Sequence, residues 1–223
     1  MLFRSVIREN DTILSVATKV RLATILGTWQ STLTDFKYLR KIWKDNTEEE
    51  RLLGVSLTGQ FGNKFFSGKE DMEELKKALS ELRNVARDTN KAEASKIGIS
   101  ESSAITCVKP SGTVSQLVGV SSGMHPWHSQ YYIRTVRGDK KDPLSLFLKE
   151  VGIPVEDDFM KPNDTYVFSF PVKAPEGAIL REHLTAIDHL NTWLVYQRAW
   201  CEHKPSITVS VKEDEWMEVG AWV

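Results

Sequence analysis

The chain has 223 residues, which at about 150 residues per domain makes roughly one and a half domains, so one large domain or a piece of one fits better than a string of small modules. Hydrophobic residues make up 41% of the chain, enough for a sizeable core, which excludes a disordered or low-complexity protein. Lys and Arg number 29 against 30 Asp and Glu, and this near-neutral balance without a basic block argues against phosphate-backbone electrostatics, so no nucleic-acid partner is expected.

Two cysteines exclude a disulfide scaffold and suit a reducing cytoplasm. No apolar run reaches the roughly 18 residues of a transmembrane helix, and no membrane partner is expected. Met1 to Ile7 lacks the basic region and long apolar stretch of a signal peptide. Both ends are nevertheless apolar, with Leu2, Phe3, Val6 and Ile7 at the front and Val219, Ala221, Trp222 and Val223 at the back. Termini are usually polar, so the expectation is one segment, residues 1–223, of a larger fold.

Asn10-Asp11-Thr12 offers an N-cap to a helix with Ile13, Val16, Ala17 and Val20 on one face. A second stripe, Leu22, Ile25, Leu26, Trp29 and Leu33, predicts that this helix is buried on more than one side. Thr47-Glu48-Glu49-Glu50 reads as a capping box opening a short helix, followed by a short strand or loop over Gly54–Gly59. Residues 70–88 form a surface helix with Met72, Leu75, Leu79 and Leu82 inward; Glu70, Asp71, Glu73 and Glu74 complement its dipole at the start. Strands are expected at Ala104–Val108, Tyr131–Arg137 and, by period-2 alternation, Thr165–Val172. A helix over residues 183–200 and a last strand through Ile207, Val209 and Val211 complete an interleaved α/β layout.

The stretch Lys109-Pro110-Ser111-Gly112-Thr113-Val114-Ser115 follows a strand and leads into an apolar run. Small and hydroxylated residues at a strand-to-helix turn expose backbone N–H groups where the helix dipole is positive, which makes an anion site. The spacing is not that of a Walker loop, and an ordinary Ser/Thr-capped turn is the plainer alternative. Gly119 to His128 follows as a tight irregular loop. His125 and His128 are poor metal ligands because Pro126 breaks their alignment and no further donors complete a set, so no metal is expected. Cys201-Glu202-His203 tempts a nucleophile reading, but buried structural thiols suit Cys107 and Cys201 better.

Several long blocks in order resemble the adenosylcobalamin-dependent (class II) ribonucleoside-triphosphate reductases. They are Val20–Thr28, Leu52–Gly59, Lys109–Pro126, Tyr131–Arg134, Trp200–Ser206 and Val211–Trp216. The resemblance implies part of an α/β barrel built from two halves of parallel strands, here the second half with its covering helices. It implies adenosylcobalamin as cofactor, a ribonucleoside triphosphate as substrate and a thioredoxin-type reductant. It also implies that Ser111, Gly112, Thr113, Val114 and Ser115 hold the substrate phosphates through their backbone and the three hydroxyls. The family's Asn-x-Cys-x-Glu radical loop has no counterpart here, and Cys107 and Cys201 match none of the family's redox positions. No catalytic residue is therefore assigned; the chain alone should be inactive, with an upstream fragment carrying the radical loop as a partner. The alternative is a nucleotide-binding or assembly module that has lost the reaction; an unrelated phosphosugar enzyme is weaker.

Overall fold

A computed structural model describes residues 3–223; Leu2, one of the apolar residues at the front, lies outside the described residues. In chain order the elements are β1 (Phe3–Val6), α1 (Ile13–Gln30), α2 (Lys41–Glu50), β2 (Val55–Thr58), α3 (Met72–Ile97), β3 (Thr106–Cys107), α4 (Gly112–Leu117), β4 (Tyr131–Asp139), α5 (Pro143–Glu150), β5 (Val155–Asp157), β6 (Thr165–Lys173), α6 (Ala186–Ala199) and α7 (Trp216–Trp222). They divide into two compact units, one of residues 3–127 with 176–223 and the other of residues 128–175.

In the first unit β1, β2 and β3 form a parallel sheet in that order, in register at Phe3–Val55 and Val55–Thr106. Helices supply the crossovers that parallel pairing requires, α1 between β1 and β2 and α3 between β2 and β3. Every residue of β2 is buried, as expected for the middle strand of a sheet covered on both faces. The core gathers Ile7, Val16, Val20, Leu57, Leu75, Leu79, Tyr196 and Trp200. The sheet is open, and the barrel is not closed among the described residues.

Thr12 caps α1 in a reciprocal box with Ser15, as the Asn-Asp-Thr run predicts. Its buried face is Val16, Val20, Ala23, Thr24, Gly27 and Thr28, small enough for α3 to pack closely. Asn90 of α3 seals that contact by donating to Thr28 Oγ1 at 2.9 Å. The second apolar stripe is not buried: Leu22, Leu26, Trp29 and Leu33 are each more than half exposed. Helical spacing identifies a stripe but cannot say whether anything covers it.

The capping-box reading of residues 47–50 also fails. Those residues end α2 rather than open a helix; the Thr47 hydroxyl donates back to the Trp43 carbonyl, and Arg51 closes the helix in the left-handed region at φ +47°. Helix α3 runs to Ile97, well beyond the expected end at residue 88, because Ala86, Asn90 and Ala94 continue the buried stripe with small and polar residues. The last expected strand is absent. Ile207, Val209 and Val211 do alternate with exposed neighbours, but among the described residues they pair with no strand. The outer edge of β3 is met instead by Glu202, whose carboxylate accepts from the N–H groups of Ile105 and Thr106 at 2.9 and 3.1 Å and whose backbone N–H donates to the Thr106 carbonyl at 2.8 Å.

The second unit is an antiparallel sheet in the order β4-β6-β5 with α5. Its long β4–β6 ladder runs from Tyr131–Lys173 to Asp139–Thr165 and confirms both strands expected there. Asp158 accepts from Arg137 Nε at 2.6 Å, and Lys140 and Lys149 lie over the Tyr166 ring, each 4.7 Å from its centroid.

Candidate functional site

The turn after β3 lies against the carboxyl end of β2, and its geometry is fixed by three hydroxyls. Ser111 is in the right-handed region, with φ −100° and ψ −10°, and Gly112 follows at φ +42°. Consecutive right- and left-handed residues turn their N–H groups toward one point, a concavity that binds an anion or a lone pair. Here the N–H groups of Ser111 and Gly112 both donate to Ser122 Oγ, at 3.0 and 3.1 Å.

Thr58, the last residue of β2, is the hub behind the turn. Its hydroxyl donates to the Ser121 carbonyl at 3.1 Å and accepts from the Gly123 N–H at 2.9 Å. It has one proton, so its 2.8 Å bond with Ser111 Oγ is donated by Ser111. One buried hydroxyl thus ties the strand end to both sides of the loop. Two guanidinium groups brace the outside: Arg4 donates to the Lys109 carbonyl at 3.3 Å, and Arg8 to the Val118 carbonyl at 3.1 Å.

Residues 111–115 therefore play different parts. Ser111 and Ser115 are buried; Ser111 Oγ serves Thr58, and Ser115 Oγ donates to the Gly112 carbonyl at 2.8 Å. Gly112, Thr113 and Val114 are exposed, so Thr113 presents the one hydroxyl of the three that faces solvent. Helix α4 spans only six residues, so the dipole expected from the sequence adds little beside the two convergent amides of Ser111 and Gly112.

Sequence reasoning missed Thr58 and Ser122. Both lie in the apolar-and-hydroxyl blocks Leu52–Gly59 and Gly119–Gly123, but they stand 53 and 11 residues from Ser111 in the chain, a pairing that only the fold discloses.

His125 belongs to the scaffold of this loop. Its Nε2 accepts from the Thr208 N–H at 3.0 Å, so the proton sits on Nδ1, which donates to the Ser122 carbonyl at 2.6 Å. His128 lies instead against the Tyr132 ring, with centroids 5.6 Å apart. Among the described residues no group of three or more His, Cys, Asp or Glu side chains could hold a metal ion.

His189 of α6 donates from Nε2 to the Met124 carbonyl at 2.7 Å and is buried. Burial holds its pKa below the ordinary imidazole value, opposed by the Met124 bond and reinforced by nearby His125. Since the unfolded chain takes up protons first, acid should destabilise the fold as pH drops below about 6.5. Urea midpoints measured at pH 7.5 and 5.5 should fall in acid, with a smaller drop for His189→Gln.

Both thiols are shielded. Cys107 is 1% exposed and Cys201 7%, and burial pushes them up to about 11 and about 12. A thiolate is the reactive form, so neither is a nucleophile near neutrality. Ellman's reagent at pH 8 should label neither cysteine in the folded chain and both in denaturant; rapid labelling of the native protein would contradict this.

No family model matches the chain. Among curated proteins it is 30% identical over 207 residues to an adenosylcobalamin-dependent ribonucleoside-triphosphate reductase of Lactobacillus gasseri, covering 81% of this chain and 27% of that one. The enzyme of the same name from Lactobacillus acidophilus is 29% identical over 212 residues, 83% of this chain and 28% of its own length. The chain is a relative of one segment of these reductases. The Euglena gracilis reductase of that name is 29% identical over 171 residues, 75% of this chain. A crystal structure of a B12-dependent (class II) ribonucleotide reductase superposes with a TM-score of 0.78 at 22% identity, over 93% of this chain and 33% of that one. The fold expected from the resemblance is therefore present as an open part of the α/β architecture. The chain spans just over a quarter of the length of the Lactobacillus reductases it matches.

Those relatives are named for adenosylcobalamin. His125 has both ring nitrogens engaged, and His189 and His203 each commit Nε2 to a backbone carbonyl. No helix among the described residues is long and apolar enough to cross a membrane.

Proposed function

We propose that the chain is the substrate-phosphate-binding segment of a cytoplasmic, adenosylcobalamin-dependent ribonucleoside-triphosphate reductase. In the complete enzyme, ribonucleoside triphosphates are converted to 2′-deoxyribonucleotides by thiyl-radical chemistry, with adenosylcobalamin supplying the radical and a thioredoxin-type protein the reducing equivalents. This chain contributes one segment of the catalytic barrel and no catalytic residue. The observation that carries the reading is the pair of convergent amides at Ser111 and Gly112, pinned by Thr58 at the strand end, within a segment related to those reductases. Backbone donors beside an exposed Thr113 hydroxyl suit a phosphate, whose oxygens accept from several directions.

The test combines binding with turnover. Calorimetry should find that Thr113→Val with Ser115→Ala weakens binding of a ribonucleoside triphosphate; unchanged affinity refutes the site. With adenosylcobalamin, a triphosphate and a dithiol, the chain alone should form no deoxyribonucleotide, and an added fragment carrying the radical loop should restore formation. Turnover by the chain alone contradicts the reading. Binding that persists without any restoration by the radical-loop fragment favours the alternative, a nucleotide-binding or assembly module.

A further inference from the structure

Helix α2 lacks the ordinary supports of a short helix. It has ten residues, fewer than the roughly 12–15 below which an isolated helix is marginal in water, so it needs packing to persist. None of its residues is buried, and among the described residues no strand or helix packs along it. Its carboxyl end is tied down: Thr34 Oγ1 donates to Glu48 Oε1 at 2.6 Å, the Arg51 guanidinium to the Ser31 carbonyl at 2.7 Å, and the Ser103 N–H to the Glu50 carbonyl at 2.9 Å. Its charges run against its own dipole. Lys41 and Lys44 stand in the first turn, after an Arg40 cap that makes no side-chain bond, and Glu48, Glu49 and Glu50 fill the last.

What α2 presents instead is apolar. Tyr38 is 99% exposed, and Leu39, Ile42 and Trp43 are each more than half exposed. Leu33 joins this surface to the outward stripe of α1, since it ends that stripe and shares a cleft with Leu39 and Lys44. A half-exposed side chain of this size offers roughly 100 Å², so the whole face reaches about the 800 Å² per partner that a stable dimer buries. Strands that complete an α/β barrel would meet the sheet at its edges and not here. Helices lie outside the strands of a barrel; α1 packs on the sheet through Val16, Val20 and Ala23, and its stripe points the other way. We propose that two copies of the chain pair through this face about a two-fold axis, with their α2 helices antiparallel. Antiparallel pairing sets the Lys41–Lys44 half of each helix against the Glu48–Glu50 half of the other and opposes the two dipoles. Charges misplaced within one helix thus become complementary between two. Ile42 and Trp43 are covered in the same step, because a two-fold interface uses one patch on both partners. Parallel helices would set like charge against like.

Sedimentation equilibrium of the full chain at micromolar concentrations should show a dimer that weakens as salt is raised. Trp43→Ala should weaken it at least about tenfold. Two charge variants test the arrangement itself. Lys41→Glu with Lys44→Glu makes α2 acidic throughout, and Glu49→Lys with Glu50→Lys makes it predominantly basic. Each should be monomeric alone, and an equimolar mixture of the two should dimerise again. All four sites are exposed, so these variants leave the core intact and carry the test if Trp43→Ala fails to fold by circular dichroism. A wild type that stays monomeric at every concentration overturns the proposal and leaves the face to a different protein. A dimer that neither charge variant perturbs overturns it as well, and so do variants that dissociate but fail to recombine on mixing.

Discussion

Replacing Thr58 by Val should cost about 2–4 kcal/mol of stability and weaken phosphate binding at the turn by tenfold or more. The side chains are nearly the same shape, so packing changes little. What is lost is the acceptor for the buried Gly123 N–H, the donor to the Ser121 carbonyl and the acceptor for Ser111 Oγ. A buried polar group left without a partner costs about 1–3 kcal/mol, and this substitution creates more than one. The binding loss follows from geometry: the Ser111 and Gly112 amides converge only while Ser111 is tied to the end of β2 and the loop through Ser122 is tied to the same hydroxyl. Thr58→Ser keeps the hydroxyl and should recover most of both effects. Urea unfolding and tripolyphosphate titration of the two variants read the two effects separately.

Gly59→Ala should be at least as damaging, at about 3 kcal/mol or more. Gly59 sits at φ +90°, where a side chain is strained, and an added Cβ would run into the Ile7 carbonyl oxygen, with Val120 Cβ only 3.0 Å away. The obstacle is backbone, and it cannot swing aside: the Ile7 N–H donates to Thr58 O at 2.8 Å, continuing the pairing of the first two strands. Gly98 is the control. It closes α3 at φ +72° with nothing within 4 Å of an added Cβ, so Gly98→Ala should lose only about 1–2 kcal/mol for the left-handed conformation. A Gly59→Ala midpoint no lower than that of Gly98→Ala would show that the strand end is free to shift.

What the sequence disclosed and what it hid have physical causes. The strands at residues 131–139 and 165–173 were legible because alternation is a local property, and the start of α1 because Thr12 and Ser15 are neighbours. The alternation at Ile207, Val209 and Val211 is equally clear but makes no strand, since a ladder needs a partner that local pattern cannot supply. Strand β1 shows in the sequence only as an apolar end. Its identity depends on pairing with Val55–Thr58, some fifty residues on. Helix α5, opened by Asp142 accepting from the Leu144 N–H, was missed although the Asp-Pro start is visible at residues 142–143. The turn at residues 111–115 is legible as a donor-rich segment. Its division of labour was not, because Ser111 and Ser115 look as available as Thr113 until the fold buries them.

A phosphate chain bound at residues 111–115 is the central expectation. Backbone amide shifts of the full chain, recorded as a ribonucleoside triphosphate is added, test this most directly. The largest changes should fall on Ser111 to Ser115 and on Ser122, and inorganic tripolyphosphate should reproduce them. Changes confined to other parts of the chain, with residues 111–115 silent at saturation, would contradict the claim that this turn holds the substrate phosphates.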